Sequence, residues 1–434
     1  MKSSTEERFH RRGWCPRVWT PMESGDGFLV RVQAGWRARS SADVRALAKL
    51  ARAYGNGQLE ITRRANWQLR GVTSANLSSV QGALVSRGLA APSDAPLPAA
   101  SLLVNPLSGL DPACAPLDAM AAEIERVLRS EKAPRDLPDK FSVVLDGGGD
   151  VLRDVASDLR IDVRTTSPGV AFLGAGARED RASLLGACRV EDVAAALFAL
   201  LDLASRGPNG PRRMRDVIDV ERVEGVREVI ASLVLADRQG PTDVAAAPSV
   251  VGFHGGISGW IGLGLPFGSG DVRQWNAIAD IAERYGDGSV RLTPRRSVVI
   301  ADVATANREA ALTIARACDL VVDESDPRLR INACVGAPFC SAARGETRRI
   351  GSELGSLLAP LLSAGGTLHV SGCNKSCAHG GASSVTVVCH ERGFQVQQDG
   401  AVADTTASDV LDLEATRRLV TAVAADFATA GHRS

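Results

Sequence analysis

The sequence contains part of itself twice. Tyr54-Gly-Asn-Gly-Gln-Leu-Glu-Ile-Thr-Arg-Arg64 returns as Tyr285-Gly-Asp-Gly-Ser-Val-Arg-Leu-Thr-Pro-Arg295, at an offset of 231 residues and without a gap. The chain's two tyrosines fall at equivalent positions. Self-similarity at a fixed offset marks a duplicated supersecondary unit. Each copy follows a helical stretch (Ala42–Tyr54 and Asp271–Tyr285) and passes through a Gly turn into an alternating strand (Gln58–Leu69 and Ser289–Ile300). Each then enters a second helical stretch (Ala75–Arg87 and Ala304–Cys318), and a strand candidate precedes each copy (Phe28–Gln33 and Trp260–Leu265). The unit reads β-α-β-α.

A more compact α/β stretch follows each repeat. The first holds a strand at Phe141–Asp146, the turn Gly147–Gly149, a strand near Leu159–Val163 and a helix near Val190–Ala204. The second carries most of the cysteines and ends in an amphipathic helix, about Leu413–Ala428. Alternating strands and helices argue for mixed layers. We place boundaries at 14–92, 98–236, 250–322 and 323–434, with the Pro/Ala/Asp-rich segment Asp237–Pro248 as a linker. Lys+Arg and Asp+Glu number 50 each, and zero net charge is not the footprint of a nucleic-acid binder. No stretch is long and apolar enough to span a membrane, and the polar, basic N-terminus has no apolar signal region. The expected location is therefore the cytoplasm.

Nine cysteines in such a chain do not suggest a disulfide framework. Four of them form Cys334-x5-Cys340, then 32 residues, then Cys373-x3-Cys377. Thiolates are soft ligands, and an iron–sulfur cubane needs four that converge. Arg328–Ala333 reads as a strand delivering Cys334 to a loop, and Thr367–Val370 as a second strand before the polar turn Ser371–Cys377. Pro338 interrupts any helix before Cys340, and a helix is expected over Ser341–Leu358. Two strand-end loops would then bring the pairs together. A structural zinc site is the rival, although its pairs usually have shorter spacing than x5. Cys15, Cys114, Cys188, Cys318 and Cys389 read as isolated core residues.

The cysteine spacing, preceded by the twofold repeat, resembles the sirohaem-dependent sulfite and nitrite reductases over about residues 14–400. Leu59–Gly71 and Leu137–Phe141 are similar to segments of that family. Within it, Leu368-His-Val-Ser-Gly-Cys-Asn-Lys-Ser-Cys-Ala-His-Gly380 and Asn105–Pro112 look like the precorrin-3B synthase branch. The resemblance implies an α+β fold: duplicated ferredoxin-like repeats plus two α/β sulfite reductase-like domains, related by pseudo-twofold symmetry. It implies a [4Fe-4S] cluster on Cys334, Cys340, Cys373 and Cys377. For the branch it implies an O2-dependent monooxygenation of the tetrapyrrole precorrin-3A, with NADH as electron source and a reductase partner to deliver the electrons. The branch is also associated with a mononuclear non-haem iron, whose ligands the sequence does not identify.

In the reductases, basic side chains grip the carboxylates of the tetrapyrrole. By position, Arg64 and Lys140 match two of these, and Arg31 matches an Arg of the first strand. Guanidinium groups suit acetate and propionate arms because they bind carboxylate bidentately. Alternation over Gln58–Arg70 would set Thr62, Arg64, Asn66, Gln68 and Arg70 on one strand face. The bland alternative for that row is the solvated face of an edge strand. Ala65, Ser101 and Ser142 depart from the reductase pattern, which suits a free tetrapyrrole substrate better than bound sirohaem. His369 and His379 bracket the second cysteine pair and are candidates to assist the chemistry, whereas His254 has no assigned role. A sirohaem reductase, and a non-catalytic electron or tetrapyrrole carrier, remain the alternatives.

Overall fold

The computed structural model describes residues 14–149, 151–177, 182–207, 210–236, 240, 250–405 and 410–430. Except for Gly240, the expected linker lies outside these residues. The chain divides into two compact units, one formed by Pro16–Met22 with Phe28–Glu324 and the other by the described parts of Met1–Cys15 and Ser325–Ser434 with Glu23–Gly27.

The repeat governs the first unit. Helices Ser41–Tyr54 and Val272–Tyr285 stand 231 residues apart, as do strands Gln58–Ile61 and Ser289–Leu292. Both helices are capped alike. Ser40 accepts from the Asp43 N–H, Asp271 accepts from the Gln274 N–H, and the Gly55 and Gly286 N–H groups close onto Ala51 and Ala282. The two helices pack on each other, and Val44, Leu47, Ala48 and Ala51 of one and Ile278, Ala279, Ile281 and Ala282 of the other are buried in one core. At the rim Arg45 bonds to Asp280 (2.8 Å) and Glu283.

The expectation of one long alternating strand per copy is corrected. Gln58–Ile61 and Trp67–Val72 are two antiparallel strands, and so are Ser289–Leu292 and Ser297–Ala304. The threonine hydroxyls make the turns. Thr62 Oγ1 accepts from the Arg64 and Asn66 N–H groups, and Thr293 Oγ1 accepts from those of Arg295 and Ser297. The left-handed residues Ala65 (φ 52°) and Arg296 (φ 57°) complete the reversal. Arg64 therefore sits on a turn, and it does not share a strand face with Gln68 and Arg70.

Each half closes the other's sheet. In one sheet Gly27–Val32, Trp67–Val72 and Gln58–Ile61 are followed by Ser269–Asp271 from the second half. In the other, Gly252–Gly255, Ser258–Gly264, Ser297–Ala304 and Ser289–Leu292 are followed by Arg39–Ser40 from the first. The registers match across the duplication: Asp271 pairs with Gln58, and Ser40 with Ser289. Trp275 adds a side-chain link. Its indole N–H donates to Leu59 O (2.9 Å), and its ring meets Trp67 edge-on at 6.4 Å.

The α/β part of this unit has parallel strands Ser101–Val104, Ser142–Asp146 and Ser157–Val163, then antiparallel Val170–Ala177 and Ser183–Arg189. The last two strands, and helices Asp118–Arg129 and Met214–Val229, are additions to the sequence reading. Buried Asp158 ties the layer together by accepting from Ser142 N–H (3.0 Å), both Arg213 donors (2.7 and 2.8 Å) and Met214 N–H (3.1 Å). In the second unit, strands Ile331–Ala333, Leu368–Ser371 and Ser383–His390 are parallel and Gly393–Gly400 is antiparallel. Helix Thr347–Leu357 lies between the first two strands in sequence, where Asp118–Arg129 lies in the first unit. The two α/β layers therefore share one strand-helix-strand-strand-strand order. No helix among the described residues is long and apolar enough to cross a membrane.

Trp275→Ala should lower unfolding stability by about 3–5 kcal/mol, the usual cost of emptying a large aromatic site. Denaturant unfolding of the full chain checks it, and a loss under 1 kcal/mol would mean that the halves do not depend on this contact.

Candidate functional site

The cysteine loops leave the carboxyl ends of neighbouring parallel strands. Ala333 pairs with Val370, so Cys334 emerges beside Ser371 and Gly372. The loops are stitched together there: Arg344 N–H donates to Gly372 O (2.8 Å) and Gly372 N–H to Cys334 Sγ (3.3 Å). Gly372 cannot carry a side chain, because a Cβ would stand 2.7 Å from the Ala343 Cβ. Thr347 Oγ1 donates to Cys334 O (2.6 Å) and lies 3.7 Å from Cys334 Sγ. The helix expected from Ser341 begins only at Thr347, because Cys340–Glu346 is spent on this loop. The strand expected over Arg328–Ala333 shrinks to Ile331–Ala333 behind a 3-10 turn, Pro327–Arg330.

The four thiols feel one another. Burial, then the charges of Cys334 and Cys340, raise the pKa of Cys373, against a backbone N–H of Lys375 that lowers it. Cys377 is an exposed residue, yet burial of its thiol and the charges of Cys373, Cys334 and Cys340 push it up to about 11. A bound cation would favour the thiolate forms of Cys373 and Cys377. The soft donors and the N–H groups aimed at sulfur fit an iron–sulfur cluster. Among the described residues, no three His, Cys, Asp or Glu side chains close around a single ion.

The segment Glu23–Gly27 had no place in the sequence reading of this site. Ser24 Oγ donates to Phe339 O (2.8 Å), and a Cβ on Gly25 would stand 2.8 Å from Pro338 O and 2.9 Å from Ser341 N. The turn therefore clamps the loop that carries Cys340. A glycine before a strand is too common a signal to have revealed it. His369 is fully buried on its strand, and its ring meets that of His379 nearly perpendicular at 5.7 Å. His379 Nε2 also lies 3.2 Å from Ala382 O.

The basic residues belong to the other unit. Arg31 donates to Gln68 Oε1 (3.0 Å), whose amide in turn donates to buried Glu60 (2.8 Å). These three form a row across the sheet. Arg31 lines a cavity of about 650 Å3 together with Arg17, Arg37, Arg39, Arg129 and Glu125. Arg64 lines an adjoining hollow that shares Gln33, Gly35, Trp36 and Glu125 with it. Lys140 is exposed in the turn before Ser142–Asp146 and lines neither. The structure thus groups Arg31 and Arg64 and leaves Lys140 apart. Burial lowers the pKa of Arg39, with the Asp43 charge opposing. His254, half-buried on the edge strand Gly252–Gly255, stacks on Trp260 at 4.0 Å, and burial lowers its pKa.

Known proteins resemble the chain in the same regions. The nitrite/sulfite reductase ferredoxin-like half domain family matches residues 20–87 and 258–318. A precorrin-3B synthase of a Sinorhizobium species is 31% identical over 401 residues, covering 90% of this chain and 83% of that protein. A ferredoxin–nitrite reductase of Synechococcus elongatus is 24% identical, covering 92% of this chain and 82% of that protein. The structure of Mycobacterium tuberculosis NirA protein shares the fold, with a TM-score of 0.71 at 21% identity over 89% of this chain and 77% of that one. The duplicated α+β architecture expected from the sequence is therefore the one observed.

Cys373→Ser should abolish cluster iron and sulfide, and Gly25→Ala should lower both without unfolding the chain. Iron and sulfide assays beside circular dichroism check this, and full loading in Cys373→Ser would remove that residue from the ligand set.

Proposed function

The chain belongs to the precorrin-3B synthase family, and from that premise we propose that it is an oxygen-dependent monooxygenase converting precorrin-3A to precorrin-3B in aerobic cobalamin synthesis. One oxygen atom goes to the C20 meso carbon and a ring acetate closes a γ-lactone, while the other oxygen leaves as water. The observation that carries the reading is the arginine-lined cavity on the first repeat. Its volume of about 650 Å3 lies within the range of small-molecule sites, and five arginines on its wall suit a ligand with many carboxylate arms.

In this reading Arg31 and Arg64 bind substrate carboxylates, and the Gln68–Glu60 row holds Arg31 in place. Lys140 would meet an arm only at the surface. Cys334, Cys340, Cys373 and Cys377 would hold a [4Fe-4S] cluster, which when bound supplies the single electrons that dioxygen needs to react with a closed-shell substrate. The His379 and His369 rings, in contact with each other, are the groups we assign to proton handling in this unit. Electrons from NADH would arrive through a reductase partner. Among the described residues no three-donor group is available for a mononuclear iron, and no residue is assigned to it.

Two positions favour a free substrate over resident sirohaem. Where the reductases place a second Lys, Ser142 is buried with its N–H and hydroxyl on Asp158. Where they place Gln, Ala65 is buried in the left-handed turn. Neither position can reach a ligand carboxylate.

The cluster-loaded protein, given precorrin-3A, O2, NADH and a reductase, should yield the hydroxylactone, and extraction should release no sirohaem. Arg64→Ala should weaken precorrin-3A binding by roughly 1–3 kcal/mol, the scale of a charged hydrogen bond. Stoichiometric sirohaem with sulfite or nitrite turnover would replace the proposal by a reductase.

A further inference from the structure

The cavity wall carries five arginines and, among the described residues, one carboxylate, Glu125. Glu125 lies on helix Asp118–Arg129, and three donors converge on it. The Trp36 indole N–H (3.0 Å) and Arg37 Nη1 (2.9 Å) both reach Oε2, and Arg129 Nε (3.3 Å) reaches Oε1. The Arg37 guanidinium also stacks over the Trp36 ring, 4.2 Å from its centroid. An indole N–H and two guanidinium groups around a planar carboxylate make the kind of fork that recognises an acidic ligand arm.

We propose that Glu125 is the specificity-determining residue of this cavity: its carboxylate fills the Trp36–Arg37–Arg129 fork that an acidic arm of a tetrapyrrole would take, and so limits how many such arms the wall accepts. This rests on the reading of the cavity as the tetrapyrrole site. An ordinary surface ion pair would explain Glu125 and Arg129, which are one helical turn apart. It does not explain an indole donated from a loop 89 residues away in sequence. Nor is Glu125 a buried strut. Its side chain keeps 27% exposure, and those of Arg37 and Arg129 keep 61% and 54%. Exposed pairs of this kind contribute little net stability, so the fork can change partners at small cost. While Glu125 stays ionised, it repels any second carboxylate brought to the same donors.

The test uses the full chain and two metal-free porphyrins followed by fluorescence: uroporphyrin, with a carboxylate on every peripheral substituent, and coproporphyrin, with fewer. Glu125→Gln keeps an oxygen for Trp36 and Arg37 while removing the charge and the acceptor that meets Arg129. It should tighten uroporphyrin binding about tenfold, the scale of one close like charge in a partly screened site, and tighten coproporphyrin less. An unchanged or weaker affinity for uroporphyrin, or an equal gain for both ligands, overturns the proposal. Arg31→Ala and Arg64→Ala separate the two readings. If they weaken porphyrin binding and Glu125→Gln shifts nothing, only the role of Glu125 fails. If they too leave binding unchanged, the cavity is not the tetrapyrrole site and both readings fall.

Discussion

The exchange of short strands between the two repeats is the constraint on which the first unit depends. Gln58–Ile61 would be an open sheet edge without Ser269–Asp271, and Ser289–Leu292 would be one without Arg39–Ser40. An unpaired edge is a row of exposed N–H and C=O groups, and nothing within either repeat covers it. The Trp275 indole bond to Leu59 and the packing of the two capped helices act across the same boundary. Because the partners are related by the duplication, one set of interactions secures both sheets. The wall that carries Arg31 and the turn that carries Arg64 both stand on this closed pair.

The repeat was legible because Tyr54–Arg64 and Tyr285–Arg295 align without a gap. The cysteine loops were legible because soft ligands at unusual spacing have few other uses, and the two loops do meet at Gly372. What misled was periodicity. Gln58–Arg70 alternates well enough to pass for one strand, but the Thr62 hydroxyl offers the backbone a local partner and reverses the chain. The same hydroxyl at Thr293 is followed by Pro294, which favours a turn there. Of the cavity only Arg31, with Arg64 in the adjoining hollow, was legible. Its wall comes from loops around residues 17–20, 33–39 and 88–98, where no motif announces a shared surface.

Zero net charge concealed the site as well. The arginines on the cavity wall are a local excess in a chain whose acids and bases balance overall. Elsewhere arginine and carboxylate cancel in compact groups, as in the buried Asp158–Arg213 pair and the Asp146–Arg160–Asp162–Arg164 cluster. In that cluster burial raises the Asp162 pKa, against the charges of Arg160 and Arg164. Charge here is thus neutralised in buried groups, paired on the surface or gathered on the cavity wall. A bulk composition averages them.

The turn at Ser24 and Gly25 bears on when the protein can be completed. It seats on Pro338 and Ser341, so the loop that presents Cys340 is finished by residues near the start of the chain. Cys373 and Cys377 are translated later still. The loop that carries Cys340 is therefore complete only once segments 315 residues apart in sequence have met.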